Sequence, residues 1–182
     1  SVQAEWASRT PVERGRLVRD IAIALDDRRD ELADAVAAET GKTRDLALGE
    51  VDAAVEMGFF VAGEGRRLYG RTTTSSTPDR TVMAVRRPVG VAALIVSFNT
   101  PLPNYAWKAF PAVLCGNTAV LKPAETTPLT ALLLAEICEE AELPPGVVNI
   151  VPGDGATGAA LVGADVDKVA FTGSTGVGKG IQ

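Results

Sequence analysis

The ten residues from Phe171 to Gly180, FTGSTGVGKG, lie one residue away from the phosphate loop of a nucleoside triphosphatase. Gly173 to Lys179 fills the first seven places of G-x-x-x-x-G-K-[ST]. The eighth place is Gly180, which has no hydroxyl to help hold the Mg²⁺ that neutralises the β- and γ-phosphates. Within the 182 residues no later strand follows to supply a second Mg²⁺-binding acid. The stretch still has the form of an anion site. The apolar run Lys168 to Thr172 leads into a glycine turn and then a helix start, where backbone N–H groups attract anions. Three readings stand: a P-loop-like phosphate binder at 173–180, a turn against some other anion, or a plain strand-to-helix connection with glycines for steric reasons.

Three further clusters invite chemistry. Lys122-Pro123-Ala124-Glu125 sets a cation and a carboxylate close together. Such a pair can hydrogen-bond a ribose diol, and the carboxylate repels a 2′-phosphate, favouring NAD over NADP. A charged tip facing water is the plainer account. Asn99, in Ser97-Phe98-Asn99-Thr100-Pro101, is either a turn residue before a proline-started helix or an amide aimed at developing negative charge. Gly153-Asp154-Gly155-Ala156-Thr157-Gly158 fits G-x-G-x-x-G literally. The dinucleotide fingerprint also needs an acid at the tip of the next strand, roughly 20 residues on, and the run Lys168 to Thr172 ends without one. The glycines therefore read as a loop near a cofactor, not as the pyrophosphate cradle.

The elements that must hold these clusters follow from periodicity. Thr10-Pro11-Val12-Glu13 is a capping box with proline at the first helical position. The apolar face behind it is Leu17, Val18, Ile21 and Leu25, then Leu32 and Val36, with the polar cluster 26–30 dividing two helices and Gly41 as C-cap. A further helix carries Leu48, Val51, Val55, Phe59 and Ala62 on its core face and fades near Gly63 and Gly65. The Thr/Ser-rich stretch from Gly70 to Gly90 then alternates Val82 and Ala84 against Met83 and Val85, as an extended segment or hairpin does.

From Val91 the rhythm changes to strand–helix alternation. The predicted strands are Val91 to Ser97, Thr118 to Lys122, Val147 to Val151 and Lys168 to Thr172. The predicted helices are Pro101 to Cys115, Pro128 to Ala141, one through Ala159 to Val162, and one opening in the last glycines. Short continuous apolar strands between helices signify a parallel sheet covered on both faces. The predicted fold is α/β, a Rossmann-like parallel sheet preceded by an N-terminal helical segment and a short extended or hairpin segment. Ligands of such sheets bind beyond the strand C-terminal ends, where all four clusters sit.

Bulk properties limit the chemistry. The composition, 46% hydrophobic and 23% charged, suits one globular core, and a net charge of −5 argues against a general nucleic-acid grip. No apolar run approaches the roughly 18 residues of a membrane span. Ser1-Val2-Gln3-Ala4-Glu5 lacks the form of a signal peptide, and Ser1 is not a natural start, so a preceding portion is expected. Two cysteines make no disulfide framework, which suggests a reducing, cytoplasmic setting. With no histidine, Ser-His and Cys-His catalysis and most zinc sites are excluded within these residues, and no metal site is expected. Chemistry must use carboxylates, amines, amides or a borrowed cofactor.

Three stretches in order, SFNTPLPNYAWKAFPAVLCGNTAVLKPAETTPLTALLLAEI, LPPGVVNIVPGDG and DVDKVAFTGSTGVGK, resemble the NAD(P)-dependent aldehyde dehydrogenase superfamily. The helical N-terminal part, with Glu39-Thr40-Gly41-Lys42, resembles it more loosely. The resemblance implies an NAD site, with NADP as the alternative, rather than an ATPase loop. Gly173 and Ser174 would lie against the pyrophosphate, Val177 near the adenine, and Lys122 and Glu125 on the adenosine ribose. Ile95, Val96, Ser97 and Phe98 would line the cleft, with Asn99, Ala124, Phe171 and Thr172 also counted in the cofactor site and Gly155 near the adenine. Asn99 would stabilise the oxyanion formed when a cysteine thiolate attacks an aldehyde, and Lys108 resembles a lysine placed in a proton relay.

The same resemblance implies three parts. Residues 1–70 are helices packing on the cofactor domain, 71–88 an extended segment serving oligomerisation, and 89–182 an incomplete Rossmann-like NAD-binding domain. The catalytic domain, with the nucleophilic cysteine and general-base glutamate, would lie beyond Gln182, so the segment alone would be inactive. Cys115 and Cys138 match neither role and read as structural. A homodimer or homotetramer acting on a small-molecule aldehyde is implied, with neither nucleic acid nor membrane as partner. A non-catalytic, truncated nucleotide-binding homologue is the alternative. Many members have Pro-Trp-Asn where this chain has Ser97-Phe98-Asn99, and an acid where it has Gly176, which leaves the aldehyde open.

Overall fold

The computed structural model describes residues 1–181. Helix α1 (Val2–Ser8) has no counterpart in the sequence expectations. Its few apolar residues are too short a pattern to show a period. Packing creates the helix: Trp6 is buried, and its indole N–H donates to the Val113 carbonyl at 3.0 Å. Helix α2 (Pro11–Asp27) opens on the expected box. Glu13 N donates to Thr10 Oγ1 at 3.2 Å and Thr10 N to Glu13 Oε2 at 2.8 Å. These hydrogen bonds hold the Glu13 carboxyl below its ordinary value.

After Arg28, helix α3 (Arg29–Thr40) runs to Gly41, whose φ of 73° is the left-handed C-cap that glycine favours. Helix α4 (Arg44–Glu64) buries Ala47, Val51, Ala54, Val55, Gly58 and Val61. Phe59, expected on this face, is 46% exposed. Close helix packing decides the difference. A Cβ on Gly58 would lie 2.6 Å from Ala22 Cβ, so the small-residue face turns inward and Phe59 is carried outward.

Strands β1 (Arg71–Thr74) and β2 (Thr81–Ala84) form an antiparallel hairpin. The segment is a hairpin as expected, and every strand residue of it is exposed: among the described residues β1 and β2 pack chiefly on each other.

The second sheet comprises β3 (Val91–Ile95), β4 (Thr118–Lys122), β5 (Val148–Ile150) and β6 (Lys168–Phe171), all parallel, in the order β5-β4-β3-β6. Helices α5 (Pro101–Leu114) and α6 (Pro128–Glu140) carry the chain from β3 to β4 to β5. Helix α7 (Gly155–Val162) carries it back past β3 to β6, and α8 (Thr175–Ile181) follows. Right-handed crossovers put α5 and α6 on one face and α7 on the other. Helices α2, α3 and α4 pack on α5 and α6, and the core is continuous through Leu25, Val51, Phe110, Leu121 and Ile137.

Several boundaries are tighter than expected. Strand β3 ends at Ile95 instead of Ser97, β5 is one residue shorter at each end, and β6 stops before Thr172. The ladder itself frays gradually: Val96 N still donates to the Lys122 carbonyl at 3.3 Å, and Thr172 N to Ile95 at 2.9 Å.

Candidate functional site

Chain direction reverses at β3. The path through β4 and β5 leaves it on one side, and β6 lies on the other. Such a switch point leaves a crevice between diverging connections at the strand C-terminal ends. The structure has one there, a cleft of about 720 Å³. Ile95, Val96, Ser97, Phe98, Lys122, Ala124, Glu125, Gly155, Thr172, Gly173, Ser174 and Val177 all line it. The β4 and β6 tips, Lys122 and Phe171, are 27 and 76 residues from the β3 tip Ile95 in sequence, yet they meet at one edge, as parallel register demands.

The cleft has walls the sequence did not disclose: Gly158, Ala159, Val162 and Gly163 from α7 and its end, and Gly180 and Ile181 from α8. Gly158 carried the only signal, as third glycine of the literal G-x-G-x-x-G. A Cβ there would lie 3.5 Å from Lys122 Cδ, an ordinary contact, so the lysine stem passes directly beneath this position of the helix. The first turn of α7 is not open to a pyrophosphate. Asp154 Oδ1 accepts from Ala156 N at 2.9 Å and from Thr157 N at 3.3 Å, and so occupies its donors with a carboxylate. The solvated-tip account fails for Lys122, which is only 4% exposed and donates to the Pro123 carbonyl at 2.6 Å. Glu125 is exposed at the rim.

Asn99 sits on the turn between β3 and α5, next to the cleft-lining Phe98, and does not itself line the cleft. A chain of hydrogen bonds leads to its side chain. Buried Asn104, on the first turn of α5, donates its amide to the Thr100 carbonyl at 2.9 Å, which fixes that nitrogen as a donor. The same nitrogen reaches Ser97 Oγ at 3.3 Å. Ser97 then donates onward to Asn99 Oδ1 at 2.7 Å. Asn99 is exposed, its side-chain oxygen is engaged by Ser97, and among the described residues no acceptor is bonded to its amide nitrogen.

A sequence profile of the Aldehyde dehydrogenase family matches residues 1–182. The chain belongs to the aldehyde dehydrogenase family. It is 42% identical over 184 aligned residues to aldehyde dehydrogenase 1A1 of Rattus norvegicus, covering all of this chain and 36% of that protein. It resembles the NAD⁺ complex of an aldehyde dehydrogenase from Bacillus cereus with a TM-score of 0.93 at 42% identity, over 97% of this chain and 36% of that one. It also resembles an NADP-dependent enzyme of E. coli, with a TM-score of 0.95 at 35% identity, over 98% of this chain and 37% of that one. The chain thus spans little more than a third of the length of these relatives.

Other residues singled out in the sequence lie elsewhere. Phe171 does not line the cleft. Its ring turns to the other side of β6, against Gly173 and Gly178, and lines a separate depression with Val169 and Lys179. Alternation along a strand explains this, since Phe171 and Thr172 point to opposite faces. Lys179 is on that far depression and not at the cleft, whereas a P-loop lysine must reach back over the bound phosphates. Lys108, half-buried on α5, donates to Thr172 Oγ1, and burial lowers its ammonium below the ordinary value. Burial pushes the thiols of both cysteines up, that of Cys138 to about 12, the opposite of nucleophile activation. Among the described residues no cluster of metal-ligating side chains occurs, and no helix is long and apolar enough to cross a membrane.

Proposed function

We propose that this chain provides the cofactor cleft and the oxyanion donor of an NAD-preferring aldehyde dehydrogenase. The observation that carries the reading is the convergence of the β3, β4 and β6 tips on one cleft, with exposed Asn99 next to its lining residue Phe98. Family membership and the NAD⁺-bound relative support it.

The residues present fit a dinucleotide. Apolar Val162, Val177 and Ile181 offer a slot for a flat base. Lys122 can donate to, and Glu125 accept from, vicinal hydroxyls. The close approach allowed by Gly173 and the Ser174 hydroxyl suit a pyrophosphate. Glu125 at the rim opposes a 2′-phosphate, so NAD is preferred to NADP. Bound nicotinamide supplies a hydride acceptor.

An aldehyde attacked by a thiolate becomes tetrahedral, with the carbonyl π pair moved to oxygen. Asn99 donates to that oxyanion. As hydride leaves the carbon, the oxygen pair re-forms the carbonyl and leaves a thioester, which water cleaves to carboxylic acid and free thiol. The thiol and the base that activates water belong to parts of the protein outside this chain, so the chain alone has no turnover. The exposed β1–β2 hairpin, with Val82 and Met83 on its surface, is the segment we assign to subunit contact in a dimer or tetramer. The three-part division at 1–70, 71–88 and 89–182 belongs to the same proposal.

Steady-state kinetics of the full-length protein across an aldehyde panel, with both cofactors, test this reading. Oxidation with a higher kcat/KM for NAD⁺ supports it, and absence of cofactor-dependent aldehyde oxidation contradicts it.

A further inference from the structure

The corner between α3 and α4, Glu39-Thr40-Gly41-Lys42, touches two functional turns at once. The Glu39 carboxylate accepts from Leu129 N, from Thr130 N at 3.0 Å, and from the Thr130 hydroxyl. These belong to the first turn of α6, whose backbone donors have no partner within the helix. Helix α6 begins three residues after Glu125, and the Tyr105 hydroxyl holds the intervening turn by donating to the Thr127 carbonyl at 3.1 Å. Glu39 therefore anchors the far end of the turn that carries Lys122 and Glu125.

Lys42 reaches the other way. Its ammonium donates to Glu50 Oε1 and to the Asn99 carbonyl oxygen. Glu50 is buried on α4, and among the described residues its Oε2 has no hydrogen-bond partner. Burial raises its carboxyl above the ordinary value, with Lys42 pulling the other way. A half-satisfied buried carboxylate is costly to fold around. Its partner, Lys42, also grips the Asn99 turn. The left-handed Gly41 between the two arms turns the chain sharply enough for them to serve different loops.

We propose that this corner is a two-armed positioning device. Lys42, seated on Glu50, fixes the Asn99 carbonyl and with it the aim of the amide, while Glu39 fixes the ribose-facing turn. The inference rests on the roles assigned above to Asn99, Lys122 and Glu125, and it adds that the two arms act on separable steps.

The test uses the full-length protein, NAD⁺ and an aldehyde it oxidises. Lys42→Met lowers kcat by about tenfold or more, since displacement of a catalytic group by an ångström can cost up to about a hundredfold. The Kd for NAD⁺, read by calorimetry, stays within about twofold. In an Asn99→Ala background the same change lowers kcat by less than about twofold, because the arm acts only through Asn99. Glu39→Ala weakens NAD⁺ binding by about fivefold and leaves kcat at saturating NAD⁺ within about twofold, the split expected when ground-state binding alone is lost. Independent, multiplying losses from Lys42→Met and Asn99→Ala overturn the first arm, and an unchanged Kd in Glu39→Ala overturns the second. Should Lys42→Met not fold, Glu50→Gln, which loosens the seat of the lysine, is read in the same cycle with the same two outcomes. Full kcat in Asn99→Ala would instead overturn the underlying reading.

Discussion

Ser97 Oγ donates to Asn99 Oδ1 at 2.7 Å, across a two-residue turn. The bond has a direction because an amide oxygen can only accept, while the same hydroxyl also accepts from Asn104. Where many of the family carry proline, this chain therefore has a hydroxyl that aims the neighbouring amide. Asn99→Ala in the full-length protein is expected to lower kcat by about 10²–10³, the usual cost of one oxyanion donor, with little change in NAD⁺ affinity. Ser97→Ala leaves the amide in place but unaimed, and the expected loss is about fivefold, corresponding to one ordinary hydrogen bond of about 1 kcal/mol. Pre-steady-state measurement of NADH formation distinguishes these two losses.

The proposed ribose site makes Glu125 the residue that would set the choice of cofactor. A carboxylate about 4 Å from a phosphate charge costs roughly 1 kcal/mol in water, and more where solvent is partly excluded. Glu125→Gln should therefore raise the NADP⁺ to NAD⁺ ratio of kcat/KM by about fivefold or more. An unchanged ratio means that the rim carboxylate does not face the ribose 2′ position.

Gly158 provides a steric test of the cleft. A Cβ there makes ordinary contact with Lys122, so Gly158→Ala should fold at least as well, gaining up to about 1 kcal/mol of helix propensity. Gly158→Leu projects into the cleft over the lysine stem and should weaken NAD⁺ binding by about tenfold or more, as overpacking by 1–3 kcal/mol implies. Calorimetry with NAD⁺ and thermal unfolding of both variants separate the steric block from instability.

Cys138 predicts a pH dependence. Burial raises its thiol from 9.0 to about 12. Between these values the unfolded chain has lost the proton and the folded chain keeps it, so the contribution to stability is complete below pH 9 and declines as pH rises toward 12. The slope is about 1.4 kcal/mol per pH unit. The wild-type minus Cys138→Ala difference in unfolding free energy should shrink from pH 9 upward. For the same reason iodoacetamide at pH 8 should leave Cys138 unlabelled in the folded protein.

The sheet was legible because β3 and β4 are continuous apolar runs, the form that burial on both faces imposes. The cleft was legible because parallel strands bring their C-terminal ends to one edge, so Ser97, Lys122 and Gly173 could be placed together without knowing the distances. Facing was harder. Phe171 and Thr172 differ only by the pleat, and a one-residue uncertainty in the strand end assigns the wrong one to the cleft. Phe59 lost its core position to Gly58 because helix separation depends on partners that α4 alone does not reveal. Helix α1 depends on Trp6 reaching Val113, a contact 107 residues away in sequence. The α7 wall carries only small residues, which show no chemistry until Lys122 is seen beneath them.

The most direct measurement is calorimetric titration of the full-length protein with NAD⁺ and, separately, with Mg·ATP, repeated after Lys122→Ala and Lys179→Ala. The account predicts saturable NAD⁺ binding near one per chain, weakened by Lys122→Ala and indifferent to Lys179→Ala, with no comparable Mg·ATP binding. Tight Mg·ATP binding that disappears with Lys179→Ala, or NAD⁺ binding untouched by Lys122→Ala, would contradict it.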